Sequence, residues 1–291
     1  MDWLQALLLG LVQGLTEFLP VSSSGHLAIG KALLGVEAAE DLVFEVTVHA
    51  ATVLATIVVF RKEILRLLAG LFKFKYNDET DYIAKICVSM IPVLIVGVFF
   101  KDAVEDLFSS MLVVGVALLV TACLLIFSDW KSGSASSARG LTRRARKIGE
   151  KGPSDQPTRS DDGSEYRNGI AFWQAFVVGV GQAFAVIPGL SRSGTTISTG
   201  LICGVKRSAM AQFSFLMVLV PILGEMFLDL VGGDFAASSV GVVPLLVGFV
   251  AAFFSGLFAC KVMIALVRRA QLKWFGFYCA LVGLAVLIFM L

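Results

Sequence analysis

The sequence contains few charged residues and few cysteines. Only 16% of its 291 residues are charged, whereas soluble domains carry about 25%. Net charge is +2, which argues against nucleic acid as a partner. The five cysteines lie inside apolar segments at unrelated spacings, so we expect buried thiols rather than disulfides or a zinc site. Because 57% of the residues are hydrophobic, the composition indicates a polytopic membrane protein.

The first residues also lack the features of a removable signal peptide, namely a charged n-region and a small-residue cleavage site. We therefore expect the N-terminal segment to belong to the mature protein. Six stretches are apolar over the approximately 20 residues that a transmembrane helix needs. They cover roughly residues 42–60, 83–100, 110–128, 211–231, 241–260 and 275–291.

Two further apolar stretches, 3–36 and 170–205, are each interrupted in the middle by proline, glycine and a serine cluster. Lysine and arginine mark cytoplasmic loops in membrane proteins. Their distribution assigns residues 61–75, 129–168, 206–207 and 261–273 to the inside. This assignment agrees with six spans only if each interrupted stretch enters and leaves the membrane by the same face. The sequence therefore predicts that both are re-entrant.

The two interrupted stretches also resemble each other. Residues 5–36 align with residues 174–205 without a gap, at an offset of 169, and nine of the 32 aligned positions are identical. Shared Ser-x-Ser-Gly segments favour duplication over chance similarity. The loop charges place the first stretch entering from outside and the second from inside, which is typical of inverted-topology repeats.

The predicted fold is therefore an all-α polytopic membrane protein with six transmembrane helices and two re-entrant helix–loop–helix pairs in an inverted repeat. Residues 1–128 form the first repeat, 169–291 the second, and 129–168 a basic cytoplasmic linker. A flexible tether is the favoured interpretation of that linker. Contact of its basic run, 143–151, with anionic headgroups is the alternative.

The first break carries several chemically active side chains. Gln13 and Glu17 are four residues apart, so they share one face of a helix. Pro20 is expected to end that helix, residues 22–25 to form a loop, and His26 to begin the next helix. An ionisable residue inside a membrane is a functional candidate by default, because its burial is costly.

The second break combines Pro188 and Gly189 with a Ser-Arg-Ser-Gly loop, which opens a helix at Thr195. Backbone N–H groups at a helix N-terminus bind phosphate. The guanidinium of Arg192 offers a planar fork that suits phosphate oxygens. Since irregular backbone at this depth must line a cavity or be buried in protein, the two serine clusters are expected to face each other.

Other interpretations of these residues remain open at this point. Glu17 and Arg192 would form a structural ion pair, His26 would cap a helix, and the serines would let helices approach closely. Two further pairs at a spacing of four, Glu45 with His49 and Glu225 with Asp229, are weaker candidates. For the whole chain, a secondary transporter or lipid flippase is the alternative from another class, and a membrane scaffold is a third.

The motifs resemble those of a known family. The segments "QGLTEFLPVSSSGH" and "PGLSRSGTT" are similar to the two signatures of the bacterial undecaprenyl-pyrophosphate phosphatases, also called bacitracin-resistance proteins. The first signature maps to Gln13 and Glu17, and its following serine and histidine to Ser23 and His26. The second signature is complete, at Pro188, Gly189, Ser191, Arg192, Ser193 and Thr196. The linker, which is longer and more basic than in the family's usual pattern, is the main departure.

The resemblance implies a multi-pass enzyme of the bacterial inner membrane, with its site open toward the periplasm. Such an enzyme hydrolyses the C55 isoprenoid pyrophosphate to the monophosphate and so recycles the lipid carrier of cell-wall precursors. It also implies a divalent cation, Mg²⁺ in the first place and Ca²⁺ as the alternative. Membrane lipids are implied partners, and a second copy of the chain, in a homodimer, is a further candidate.

The mechanism expected from the residues and the resemblance divides the work between the two breaks. Glu17, with Gln13, would hold the metal, and Arg192 would clamp the phosphates. Ser23 activated by His26 is the first choice of nucleophile, and a water activated by His26 or Glu17 is the alternative. The remaining predicted phosphate-binding residues are Ser22, Ser24, Gly25, Ser191, Ser193, Gly194, Thr195 and Thr196.

Overall fold

A computed structural model describes residues 1–36, 41–100, 103–104, 107, 110–149, 167–232, 240–269 and 271–290. The side chains of residues 41–42, 133–149, 167, 225–232 and 267–269 lie outside this description. They include those of Glu225 and Asp229, so the weaker acidic pair stays a prediction. Residues 150–166, which belong to the predicted linker, also lie outside the described residues.

The described residues contain ten α-helices and no strand, which confirms the all-α prediction. A single 3₁₀ turn, Arg167–Gly169, precedes the second half. In chain order the helices are α1 (Trp3–Phe18), α2 (Ser23–Leu34), α3 (Asp41–Leu71), α4 (Asp78–Phe99), α5 (Met111–Gly149), α6 (Phe172–Phe184), α7 (Arg192–Ile202), α8 (Arg207–Gly232), α9 (Val242–Arg269) and α10 (Lys273–Phe289).

Five helices of the described residues are long and apolar enough to cross a bilayer, which makes the chain a multi-pass membrane protein. Their candidate spans are Val43–Leu71, Asp78–Phe99, Met111–Ser132, Arg207–Gly224 and Val242–Leu266. Each coincides with one of the first five predicted spans. The sixth predicted span, 275–291, coincides with the shorter apolar helix α10, which has 17 residues.

Both interrupted stretches are pairs of short helices, and local sequence explains where each helix ends. Helix α1 ends at Phe18, two residues before Pro20, because the residue preceding a proline avoids the helical conformation. Ser22 caps α2 and Ser191 caps α7, since each hydroxyl accepts a hydrogen bond from a backbone N–H in the first turn. Gly35 ends α2 with a φ of 65°, which glycine adopts without strain.

The two helix pairs repeat the same hydrogen bonds at the offset of the sequence alignment. Gln5 donates from Nε2 to the carbonyl of Leu34 at 3.0 Å, and Gln174 donates to the carbonyl of Cys203 at 2.9 Å. The same glutamines accept from the backbone N–H groups of Asp2 and Ala171, both at 2.8 Å. The aligned glutamines therefore tie each half's second helix to its first in the same way.

Each helix pair packs against a long helix of the other half. Helix α1 lies on α9, while its counterpart α6 lies on α4, which is the counterpart of α9. Close approach depends on small residues. A Cβ on Gly10 would lie 2.4 Å from the carbonyl oxygen of Gly248, and one on Gly179 would lie 2.2 Å from that of Ser89. The halves are thus interlocked rather than side by side.

Helix α5, which contains the third predicted span, extends further than that span. Residues 110–128 were expected to cross the membrane and to be followed by a flexible linker, but α5 continues to Gly149. Alanine, arginine and lysine favour helix, and elongating an existing helix avoids the cost of nucleation. The first part of the predicted linker is therefore helical.

Candidate active site

The two breaks meet. The N–H of Gly189 donates to Ser24 Oγ at 3.4 Å, and the hydroxyl of Ser193 donates to the carbonyl of Leu19 at 3.1 Å. A Cβ added to Gly25 would lie 3.1 Å from the Cα of Gly189, so this approach depends on glycine. The two serine clusters therefore lie next to each other and face each other, as the sequence predicts.

A recess, hereafter the recess, lies where the two breaks meet. Its walls come from both breaks, from the end of α1 and from α3. Most of its lining side chains are polar: Thr16, Glu17, Ser22, Ser23, Ser24, His49, Ser191, Arg192 and Ser193. A polar chamber of this kind, enclosed by apolar helices, can hold a charged headgroup.

The carboxylate of Glu17 accepts hydrogen bonds from two other side chains of the first break. The hydroxyl of Ser23 donates to Glu17 Oε2 at 2.5 Å, a distance typical of a hydroxyl bonded to a carboxylate. Gln13 Nε2 donates to the same oxygen at 3.0 Å. Within the described residues, the other amide atom, Gln13 Oε1, is buried without a hydrogen-bond partner. The pair predicted from its spacing thus leaves an oxygen available for a cation.

Arg192 is the cationic member of the recess. Within the described part of the chain, its guanidinium forms no ion pair, and the structural bridge to Glu17 that the sequence left open is not formed. The preceding residue, Ser191, is held by two hydrogen bonds. Its N–H donates to Thr121 Oγ1 at 3.0 Å, and its hydroxyl accepts from the N–H of Gly194 at 3.1 Å. A rigid turn therefore presents an arginine whose charge is not neutralised.

At the N-termini of α2 and α7, one backbone N–H group of each helix is already hydrogen-bonded to the capping serine. Gly25 donates to Ser22 Oγ at 3.2 Å, as Gly194 does to Ser191 Oγ, so these two glycines contribute close packing rather than N–H donors. The backbone N–H groups of Ser23, Ser24, Arg192 and Ser193 precede the hydrogen-bonded part of each helix and make no bond within the described residues. These four N–H groups are therefore available to donate to an anion.

Among the hydrogen bonds of the described residues, none joins His26 to Ser23, its expected partner. Its Nδ1 lies 2.8 Å from the carbonyl oxygen of Ser22, and its Nε2 lies 2.8 Å from the hydroxyl of Tyr278. The ring therefore holds the turn that begins α2, which is the capping interpretation left open by the sequence. Ser23 is bonded to Glu17 instead.

Ser22 has a φ of 72°, in the left-handed region. For a residue other than glycine this conformation costs on the order of 1–3 kcal/mol, and such strain is concentrated at functional sites. Its counterpart in the second break, Ser191, has an ordinary φ of −63°. Only the first of the two breaks is strained at its helix cap.

The two predicted threonines lie behind the recess rather than in its wall. Thr196 Oγ1 donates to the carbonyl of Arg192 at 2.9 Å and lies 2.6 Å from Ser214 Oγ. Thr195 Oγ1 is buried and has no partner within the described residues. Thr196 thus stabilises the turn that carries Arg192.

Several residues at the site had no clear signal in the sequence. Thr16 lies next to Glu17, but a single threonine in a helix has no distinctive pattern. His49, treated as a weaker candidate, does line the recess, while its Nδ1 lies 2.8 Å from the carbonyl oxygen of Glu45. Thr121 and Tyr278 are distant in sequence from the residues they contact, so spacing alone could not identify them.

Comparisons with known proteins show to which family the chain belongs. The family model described as bacitracin resistance protein BacA matches residues 6–285. An undecaprenyl-diphosphatase of Parabacteroides distasonis is 49% identical over 98% of this chain and 97% of its own length. One of Bacteroides fragilis is 48% identical over 99% and 98% of the two chains, and one of Methanococcus vannielii is 35% identical over 98% and 100%. The chain belongs to the bacitracin resistance protein BacA family.

Proposed function

We propose that the protein is an integral membrane hydrolase that converts undecaprenyl pyrophosphate to undecaprenyl phosphate and inorganic phosphate. This reaction recycles the lipid carrier for cell-wall synthesis and underlies bacitracin resistance in the family. Relatives that align with this chain over nearly their full length are named undecaprenyl-diphosphatase. The observation that carries the proposal is the recess, which is lined by the Glu17–Ser23 pair and by Arg192, an arginine without an ion-pair partner in the part of the chain that the structure describes.

The proposed topology has six transmembrane helices, α3, α4, α5, α8, α9 and α10, and two re-entrant pairs, α1–α2 and α6–α7. Residues 1–128 and 169–291 are the inverted repeats, and residues 129–168 join them on the cytoplasmic side. The repeated hydrogen bonds of Gln5 and Gln174 support the duplication, and the distribution of Lys and Arg supports the inversion. In this arrangement the site opens toward the periplasm of the bacterial inner membrane.

The residues of the first break fit a divalent cation. Gln13 Oε1 is buried without a partner among the described residues, beside the carboxylate of Glu17, and Mg²⁺ and Ca²⁺ prefer oxygen ligands. Glu17 and Gln13 would hold the ion together with substrate oxygens. When bound, the cation neutralises charge on the pyrophosphate and on the leaving phosphate.

The side chains of the recess divide the steps of the reaction. Arg192, the N–H groups of the two helix N-termini and the hydroxyls of Ser22, Ser24, Ser191 and Ser193 bind the phosphates and stabilise the charge of the transition state. Ser23 Oγ attacks the terminal phosphorus while its proton passes to Glu17, to which it is already hydrogen-bonded. The bond to the lipid monophosphate breaks, and the leaving phosphate takes up the proton. Water then hydrolyses the phosphoserine and releases inorganic phosphate.

Phosphate release from a prenyl pyrophosphate by the purified protein in detergent tests this function. We expect release with Mg²⁺ present and loss of release when a chelator removes the ion, with recovery on adding excess metal. A protein that is folded, as judged by size-exclusion chromatography, yet releases no phosphate with either Mg²⁺ or Ca²⁺ would favour the alternative of a lipid transporter.

A further inference from the structure

His26 makes two hydrogen bonds to one atom of the strained turn. Its backbone N–H donates to the carbonyl oxygen of Ser22 at 3.1 Å, and its ring Nδ1 lies 2.8 Å from the same oxygen. A carbonyl oxygen can only accept, so Nδ1 must carry a hydrogen. His26 therefore holds Ser22 from within the following helix, at the residue whose φ of 72° needs external support.

Tyr278 complements that tautomer at the other ring nitrogen of His26. A neutral imidazole has one N–H, so with Nδ1 protonated the other nitrogen, Nε2, must accept. The hydroxyl of Tyr278 lies 2.8 Å from Nε2 and can donate to it. The two rings are also stacked, with centroids 5.5 Å apart and planes within 10°. The last helix thus fixes both the tautomer and the orientation of the imidazole.

The last helix also supports the first break at the adjacent residue. The thiol of Cys279 is buried and donates to the carbonyl of Pro20 at 3.7 Å, two residues before Ser22. In the second break the counterpart of His26 is Thr195, whose hydroxyl makes no hydrogen bond within the described residues. There Ser191 is unstrained, so no comparable support is needed.

We propose that Tyr278 is a positioning residue of the phosphatase site and acts through His26. By donating to Nε2, Tyr278 keeps the Nδ1 hydrogen directed at the Ser22 carbonyl and so holds Ser22 in its left-handed conformation. That conformation places the next side chain, Ser23, against Glu17 at 2.5 Å. The effect on catalysis rests on the phosphatase function proposed above, whereas the effect on the tautomer does not.

The chain's two histidines make the tautomer directly measurable. Full-length protein labelled with ¹⁵N-histidine gives only two ring systems in an NMR spectrum, and His49→Gln assigns them. We expect His26 in the wild type to be protonated on Nδ1, with an Nε2 resonance shifted by an accepted hydrogen bond. In Tyr278→Phe, which keeps the ring but removes the donor, the Nε2 resonance should move. An unchanged His26 spectrum would overturn the proposal.

Kinetics provide a second measurement. Loss of one neutral hydrogen bond should lower kcat of Tyr278→Phe by about three- to tenfold and change KM by less than about twofold. Tyr82→Phe is the matched control, because the Tyr82 hydroxyl is buried without a partner among the described residues. A rise in KM with unchanged kcat would instead indicate that Tyr278 contacts the substrate, and it would contradict a positioning role.

The strained residue allows a more specific test. Glycine adopts a positive φ without strain and is an acceptable N-cap, so Ser22→Gly no longer needs support from His26. We therefore expect Tyr278→Phe to lower kcat by less than about twofold in a Ser22→Gly background. A full effect in that background would overturn the proposed route through Ser22. If the wild type itself releases no phosphate, the phosphatase function fails, while the NMR result still tests the hydrogen bond.

Discussion

At the scale of single residues, the shortest contact of the site joins the hydroxyl of Ser23 to the carboxylate of Glu17. It couples the proposed nucleophile to its proposed proton acceptor, and both line the recess together with Arg192. Ser23, rather than its neighbours, makes this contact because Ser22 is in the left-handed conformation. The chemistry of the first break thus depends on one backbone angle.

Replacing Ser23 with alanine distinguishes the two candidate nucleophiles. If Ser23 attacks phosphorus, Ser23→Ala should lower kcat for phosphate release by at least about a thousandfold, as loss of a nucleophile does in other hydrolases. Ser89→Ala is a suitable control, because the hydroxyl of Ser89, a buried residue, donates within its own helix to the carbonyl of Ile86. Near-normal release by Ser23→Ala would assign the attack to water.

Gln13 should set the affinity for the cation. Gln13→Glu adds a second carboxylate beside Glu17, and ligand charge raises the affinity of oxygen sites for divalent ions. We expect the Kd for Mn²⁺, a paramagnetic substitute for Mg²⁺ measurable by EPR, to fall by about tenfold. Without metal the two carboxylates repel each other, so the variant should unfold at a lower temperature than the wild type in a chelator. An unchanged Kd would place the cation away from Gln13.

Many residues of the site are evident from the sequence because they belong to local motifs. Gln13, Glu17, Arg192 and the serines are close to a proline in an apolar segment, where polar side chains are costly and therefore noticeable. The partners of His26 are different. Tyr278 lies 252 residues away, and nothing in the spacing of either residue predicts that distant helices meet there.

At the scale of helices, the buried ion pair of α4 should contribute to stability. Lys85 donates to Asp81 at 2.6 Å, and the two side chains are 3% and 5% exposed. The same carboxylate accepts from Asn168 at 3.0 Å, which links α4 to the segment before α6. This cluster anchors the second half of the chain to the first.

Removing the lysine of that pair leaves a buried carboxylate without its cation. We expect Lys85→Met to lower the free energy of unfolding by about 3 kcal/mol, measured as a fall in the thermal denaturation temperature in detergent. The matched control is Arg66→Met, whose partner Glu63 is also on its own helix but whose side chain is 57% exposed. That variant should change stability by no more than about 0.5 kcal/mol. Equal effects of the two substitutions would contradict the anchoring role of Lys85.

Helix boundaries were predictable where the chain itself supplies the signal. Pro20 marks the end of α1, as expected. Helices α2 and α7 begin at Ser23 and Arg192, three residues before the expected starts at His26 and Thr195, because Ser22 and Ser191 cap them. The continuation of α5 to Gly149 was not predictable either, because a basic, serine-rich segment is typical of a flexible tether. The preceding membrane helix supplies a nucleus that composition does not reveal.

At the scale of the whole molecule, the inverted arrangement predicts opposite exposure of the ends of the two helix pairs. In a cysteine-free background, a membrane-impermeant maleimide should label Leu33→Cys from the periplasm and Lys206→Cys only from the cytoplasm. Leu33 is exposed at the end of α2, and Lys206 follows α7. The native Cys203 is less suitable, because burial raises the pKa of its thiol and slows its reaction. Labelling of both positions from one face would contradict the inversion.

In the proposed function, two breaks that are 169 residues apart in the sequence form one phosphatase site. Substituting the second break and measuring the chemistry assigned to the first therefore tests whether they act together. Arg192→Ala should lower kcat/KM for Mg²⁺-dependent phosphate release from undecaprenyl pyrophosphate by at least about a thousandfold, as removing a transition-state arginine does in phosphoryl transfer. If a folded Arg192→Ala protein keeps a kcat/KM within about tenfold of the wild-type value, the two breaks do not form a shared phosphatase site.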